Sequence, residues 1–221
     1  MPVRVPILVA SAGSPRRGGG RHRYGPRLVI LIAIAAAVGW LTWPRVRPVL
    51  AETIGVRLAI KRVEKHRSEI EIAAAESGVD PYLLAGVMLA ESSGRVGVRS
   101  SKGALGLLQL SPVTAAERAR KLELPAPTEE QLLTDSLLNV RLGANYLRWL
   151  LDRHPENLEA ALIAYNLGPT RLNRFIVEAG GYAAWRQAQL DRGHSPLLEY
   201  AAKVMKYRDV FRERDLFEPH G

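Results

Sequence analysis

From residue 80 onward the chain is cut into helix-length pieces by start and stop signals, and this punctuation constrains its fold more than any other feature. Asp80-Pro81 places a side-chain acceptor at an N-cap and a ring that presets φ at the first helical position. Ser111-Pro112 and Ser195-Pro196 open helices in the same way, Gly168-Pro169 turns the chain into another, and Thr128 with Gln131 three residues later forms a capping box. Gly78, Gly94 and Gly180-Gly181 are stops. The spacing predicts helices from 81 to just past Glu91 and over 112–122, 137–151, 157–165, 169–179, 182–190 and 196–212, with a short one after Thr128. In 137–151, Leu138, Leu142 and Tyr146, then Leu147, Leu150 and Leu151, recur at three-and-four spacing as a core face. The glycine-rich stretch 94–106 reads as loop, and no strand pattern or internal repeat is present. The expected class is all-α.

The N-terminal third is different. Residues 1–27 are rich in Arg, Gly, Ser and Pro without apolar periodicity, the composition of a disordered basic tail. Residues 28–43 carry no charge and end in Trp40 and Trp43, where an interfacial aromatic belt would lie. At ~1.5 Å per residue the run reaches about 24 Å, enough to cross a bilayer when flanking residues snorkel. We read it as a transmembrane segment or signal anchor, followed by a stalk over 44–66, a folded domain over 67–213 and a tail over 214–221. Val49-Leu50-Ala51 has the small-x-small form of a signal-peptidase site, but Pro44, Arg45, Arg47 and Pro48 intervene, so an uncleaved anchor is favoured over a form secreted after cleavage at Ala51. Five Arg precede the run within 15 residues and three follow it, a bias that puts the N-terminus inside and the domain outside.

The net charge of +9 would by itself suggest a nucleic-acid partner. Its distribution argues otherwise. Eight of the 31 Lys and Arg lie in residues 1–47, which hold no acid, so the remainder carries 23 bases against 22 acids. With no cysteine, disulfides, thiolate metal sites and a cysteine nucleophile are excluded. The five histidines are scattered and form no metal-binding pair, and no Gly-x-Ser-x-Gly elbow or phosphate-cradling loop occurs, so neither metal nor cofactor is expected. Carboxylates remain as the catalytic candidates.

Among them Glu91 stands out. Leu83, Leu84, Val87 and Met88 form one stripe, and Glu91 follows four after Val87 and seven after Leu84, on the apolar side. Loss of hydration there disfavours the charged form and raises the pKa toward the range of a general acid, whereas an ordinary helix-end Glu leans into solvent. A glycosidase of the usual kind needs a second carboxyl. Asp80 and Asp135 read as caps, and Glu117, Glu156, Glu159 and Glu178 as solvated helix faces.

Four ordered motifs accompany Glu91: Glu91-Ser92, Gly106-Leu107-Leu108-Gln109, Asn139-Val140-x-x-Gly143-x-x-Tyr146-Leu147 and Ala164-Tyr165-Asn166-Leu167-Gly168-Pro169. In order and spacing, over about residues 70–207, they resemble the soluble lytic transglycosylase (SLT) domain, a relative of goose-type lysozyme. The resemblance implies a lysozyme-like helical fold, peptidoglycan glycan strands as substrate, and action outside the cytoplasmic membrane, in the periplasm. It implies Glu91 as the single acid and base that cleaves the β-1,4 bond between N-acetylmuramic acid and N-acetylglucosamine with formation of a 1,6-anhydro sugar. Ser92, Gln109, Tyr165, Asn166 and Tyr200 would line the cleft. Leu108 stands where the family has Met and Leu167 where it has Ala. The Glu-Thr pair that precedes the closing tyrosine is replaced by Pro196 and Leu197, which leaves that acid unreplaced unless Glu199 serves. A goose-type hydrolase and a non-catalytic peptidoglycan-binding module on the same fold are the alternatives.

Overall fold

In a computed structural model the described residues are 54–217, together with Leu31 and Trp40. The basic tail and the apolar run at 28–43 lie outside them, apart from Leu31 and Trp40, which are helical and exposed. Among the described residues no helix is long and apolar enough to cross a membrane.

The chain from residue 54 is helical at 54–64 (α1), Arg67–Ser77 (α2), Pro81–Ser92 (α3), Pro112–Lys121 (α4), Glu129–Thr134 (α5) and Ser136–Arg153 (α6). It continues through Leu158–Leu167 (α7), Pro169–Glu178 (α8), Tyr182–Asp191 (α9) and Pro196–Arg212 (α10). Most caps act where the sequence places them, but Ser195 does not cap α10: its hydroxyl donates to Gln189 Oε1 at 3.2 Å instead. Asp80 accepts from the Tyr82 amide at 3.0 Å, Ser111 from Thr114 at 3.1 Å, and Asp135 from Leu138 at 2.9 Å. Thr128 and Gln131 close both arms of their capping box. Gly78, at φ 67°, ends α2 by donating its amide to the Ala74 carbonyl.

The centre of the domain is α3. Instead of one buried stripe it has no wet side over 83–89, where every residue is buried. Each of its large apolar side chains contributes about 1.5–3 kcal/mol on leaving water. One flank is α10, and contact there is backbone to backbone: a Cβ added at Gly86 would stand 2.8 Å from the Val204 carbonyl oxygen and 2.9 Å from the Arg208 nitrogen. Glycine is what lets the two helices lie this close. α2 packs against both α3 and α6, and α7 against α6 and α10.

Two segments differ from expectation. The stretch read as the end of a stalk is part of the core, because Ala59, Ile60 and Val63 of α1 are buried. At the other end, Leu216 and Phe217, expected in a tail, pack against the core, with the Phe217 ring edge-on to Tyr82 at 5.0 Å.

Candidate active site

Glu91 is the last residue but one of α3. The helix stops at once because Ser93 and Gly94 both take left-handed backbone, at φ 56° and 67°. Gly94 is required for a further reason: a Cβ there would stand 2.7 Å from the Val63 nitrogen of α1. Arg62, also on α1, donates Nε to the Ser93 carbonyl at 2.9 Å. The turn that presents Glu91 is therefore fixed from outside α3.

The antiparallel run of α10 along α3 brings Tyr200 to Glu91, and its hydroxyl donates to Oε1 at 2.5 Å. Burial pushes the Glu91 pKa up; the Tyr200 hydrogen bond and the positive charge of Lys203 pull it back without reversing the shift. No other carboxylate acts on Glu91 among the described residues. Tyr200 and Tyr165 are both held well above the usual phenol range, first by burial and then by the negative charge of Glu91. Both stay protonated and available as donors.

Tyr165 donates its hydrogen bond elsewhere. Its hydroxyl donates to the Leu108 carbonyl at 2.8 Å, while its ring packs against Tyr146 with centroids 5.2 Å apart. Leu108 belongs to the loop between α3 and α4, which is closed by two antiparallel bridges, Arg99 with Leu105 and Leu105 with Leu110. Gln109, at φ 47°, turns this loop, and its Nε2 donates to the Gly106 carbonyl at 2.8 Å and the Val98 carbonyl at 3.1 Å. The amide donors are thus used inside the loop, and the carbonyl oxygen is the group left for another molecule. Asn166 is exposed on α7, which runs one residue past it to Leu167 and ends at Gly168.

Ser92 is not on the open side. It is 1% exposed, and its hydroxyl donates to the Met88 carbonyl at 3.2 Å within α3. Glu199 is exposed and paired with His194 at 2.6 Å, away from Glu91. Glu159, expected on a solvated face, instead takes hydrogen bonds from Tyr182 at 2.7 Å and Arg186 at 2.6 Å, which hold its carboxyl below the usual range against the opposing effect of burial.

Sequence reasoning assigned no role to Asn139. It is buried in the first turn of α6 with its side-chain polar atoms satisfied: Oδ1 accepts from the Leu108 amide at 2.9 Å, and Nδ2 donates to the carbonyls of Leu105 and Leu132, each at 3.0 Å. The available signal was an amide residue beside Val140 and Leu142 in a core helix, since a buried polar group there requires partners. Two glycines let the loop approach. A Cβ at Gly106 would stand 2.2 Å from Asn139 Nδ2, and one at Gly143 would stand 2.2 Å from Leu108 Cδ1.

The family model described as the transglycosylase SLT domain matches residues 68–188. The chain is 38% identical over 104 residues to a transglycosylase of Enterobacteria phage PRD1, covering 47% of this chain and 35% of that one. It is 30% identical over 91 residues to the soluble lytic murein transglycosylase of Escherichia coli strain K12, covering 41% and 14%. It is 34% identical over 97 residues to an endo-type membrane-bound lytic murein transglycosylase A of Klebsiella pneumoniae, covering 43% and 47%. The chain thus spans less than half the length of each of these relatives. Among solved structures, the lytic transglycosylase Slt of Pseudomonas aeruginosa superposes with a TM-score of 0.59 at 27% identity, over 70% of this chain and 25% of that one.

Proposed function

The chain belongs to the transglycosylase SLT domain family, and from that premise we propose that it is a membrane-anchored peptidoglycan lytic transglycosylase. It would cleave the β-1,4 bond between N-acetylmuramic acid and N-acetylglucosamine and leave a 1,6-anhydro end. The observation that carries this reading is a single partly buried carboxyl, Glu91, that accepts a phenol hydrogen bond, has its pKa raised by burial and has no carboxylate partner acting on it among the described residues.

One carboxyl suffices if the sugar supplies its own nucleophile. Protonated Glu91 gives its proton to the glycosidic oxygen as that bond breaks, and N-acetylglucosamine leaves as an alcohol. Positive charge develops at the anomeric carbon of N-acetylmuramic acid. The carboxylate of Glu91 then takes the proton of the 6-hydroxyl while that oxygen closes on the anomeric carbon. No water is consumed, and Glu91 ends the cycle protonated. Tyr200 holds Oε1 throughout, the Gln109 carbonyl oxygen and Asn166 face the glycan, Tyr165 walls the site, and Ser92 secures the helix end.

A hydrolase of goose-lysozyme type would need a second carboxylate to hold a water. Glu199 is turned to His194, which weighs against it in that role. Anchoring rests on the uncharged run at 28–43 with its flanking arginines, and on the membrane-bound relative from Klebsiella pneumoniae. The domain would then act outside the cytoplasmic membrane. The test is the full chain incubated with peptidoglycan sacculi and product analysis by mass. Products lighter than those of hydrolysis by one water are expected, and Glu91→Gln abolishes them. Reducing-end products would make the enzyme a hydrolase. Glycan binding without turnover, unaltered by Glu91→Gln, would make it a binding module.

A further inference from the structure

We propose that Asn139 is a positioning residue for the acid: it pins the Leu108 peptide so that the Tyr165 hydroxyl stays on the Leu108 carbonyl, leaving Tyr200 as the one phenol donating to Glu91. The proposal rests on the reading of Glu91 as the reacting acid.

The Leu108 peptide is held on both sides. Its N–H donates to Asn139 Oδ1 at 2.9 Å, and its carbonyl accepts from Tyr165 at 2.8 Å. Asn139 is itself fixed, because Nδ2 donates to two carbonyls 27 residues apart in sequence, those of Leu105 and Leu132. That arrangement leaves the side chain one orientation, in which the oxygen faces Leu108. The Leu108 side chain lies against Gly143, one turn further along α6, where even a methyl group would collide with it. Amide and side chain therefore set the carbonyl direction from one helix.

The consequence reaches Glu91 through Tyr165, whose phenol feels the charge of Glu91 and of neighbouring groups. The groups coupled to Glu91 are Tyr200 and Lys203 from α10 and Tyr165 from α7; none from α2 acts on it among the described residues. A second phenol donating to Glu91 would stabilise the carboxylate and weaken it as an acid. The Leu108 carbonyl removes that donor by offering it another acceptor. Asn139 thereby protects the protonated form of Glu91 without touching it.

The test follows the Glu91 carboxyl by 13C NMR titration in the full chain, a readout that needs no turnover and so stays separate from whether the chain cleaves peptidoglycan. Asn139→Ala frees the Leu108 peptide, and the Glu91 midpoint should fall by about one pH unit, the scale of one added hydrogen bond. In Asn139→Ala/Tyr165→Phe the fall should vanish, because no hydroxyl remains to swing across. A merely structural Asn139 would lower the melting temperature with the midpoint unmoved, and that result overturns the proposal, as does a fall that persists in the double variant. If Asn139→Ala does not fold, Tyr165→Phe alone decides. The midpoint should stay close to that of the parent, whereas a rise as large as that in Tyr200→Phe would mean that Tyr165 already donates to Glu91.

Discussion

The Tyr200 hydroxyl donates to Oε1 of Glu91 at 2.5 Å across 109 positions of sequence, and it is the one hydrogen bond that the Glu91 side chain receives among the described residues. The bond favours the carboxylate, so removing it raises the Glu91 pKa further. Tyr200→Phe should move the alkaline limb of kcat/KM, where the acid loses its proton, to higher pH. It should also lower the maximum rate about tenfold through loss of one charge-assisted contact worth about 1.5 kcal/mol. A pH–rate series on sacculi measures both; a limb moving to lower pH would contradict the donor assignment.

Burial of Glu91 also weighs on stability. Its folded pKa lies above the ordinary value of 4.5, so the folded state binds the proton more tightly than the unfolded one. The contribution of Glu91 is fully present below pH 4.5 and is lost as pH rises through the raised folded value. Glu91→Gln keeps an acceptor for Tyr200 without the charge. It should stabilise the protein by about 1 kcal/mol near neutral pH while abolishing activity, and the gain should disappear in acid. Denaturant melts at two pH values check this.

Glu159 has the opposite sign. Tyr182 and Arg186 hold its pKa below 4.5, so its stabilising contribution is present above that value and is lost as pH falls through the depressed one. Glu159→Gln should cost about 1 kcal/mol near neutral pH after allowance for solvent screening, and nothing once the wild-type carboxyl is protonated. Thermal melts against pH should show the two curves converging in acid, with no change in product chemistry.

Gly143 tests the loop contact. A methyl group there would stand 2.2 Å from Leu108 Cδ1 and 2.8 Å from its Cβ, and Leu108 is itself fully buried. Gly143→Ala should cost about 1–3 kcal/mol by overpacking, despite the better helix propensity of alanine. The measurement is the urea midpoint; an increase would show that the loop moves aside freely.

The helices were legible from residue 80 onward because their signals are local. Asp80, Ser111, Thr128 and Asp135 each cap a backbone amide two or three residues away, and such pairs can be read without knowing the fold. Glu91 was legible as an acid on an apolar surface for the same reason. Its partners were not derivable from spacing: Tyr200 lies 109 residues on, and only the close approach of α3 and α10 at Gly86 brings the two together. Glu159 reads as solvated until α9 delivers Tyr182 and Arg186 to it. The amphipathic stripe of α3 was too narrow a description, since a helix enclosed on every side leaves no polar face from which periodicity can be read. Gln109 has the composition of a ligand-binding amide, but its left-handed backbone turns its donors inward, and no sequence pattern announces that.

The family match begins at residue 68, yet the turn behind Glu91 is clamped by Arg62 and Val63. A fragment trimmed to the family boundary would leave the Ser93 carbonyl without its guanidinium and remove Ala59, Ile60 and Val63 from the core. Whoever shortens this protein must keep the helix over 54–64, because the turn that presents Glu91 is bolted to a helix that the shared domain pattern does not include.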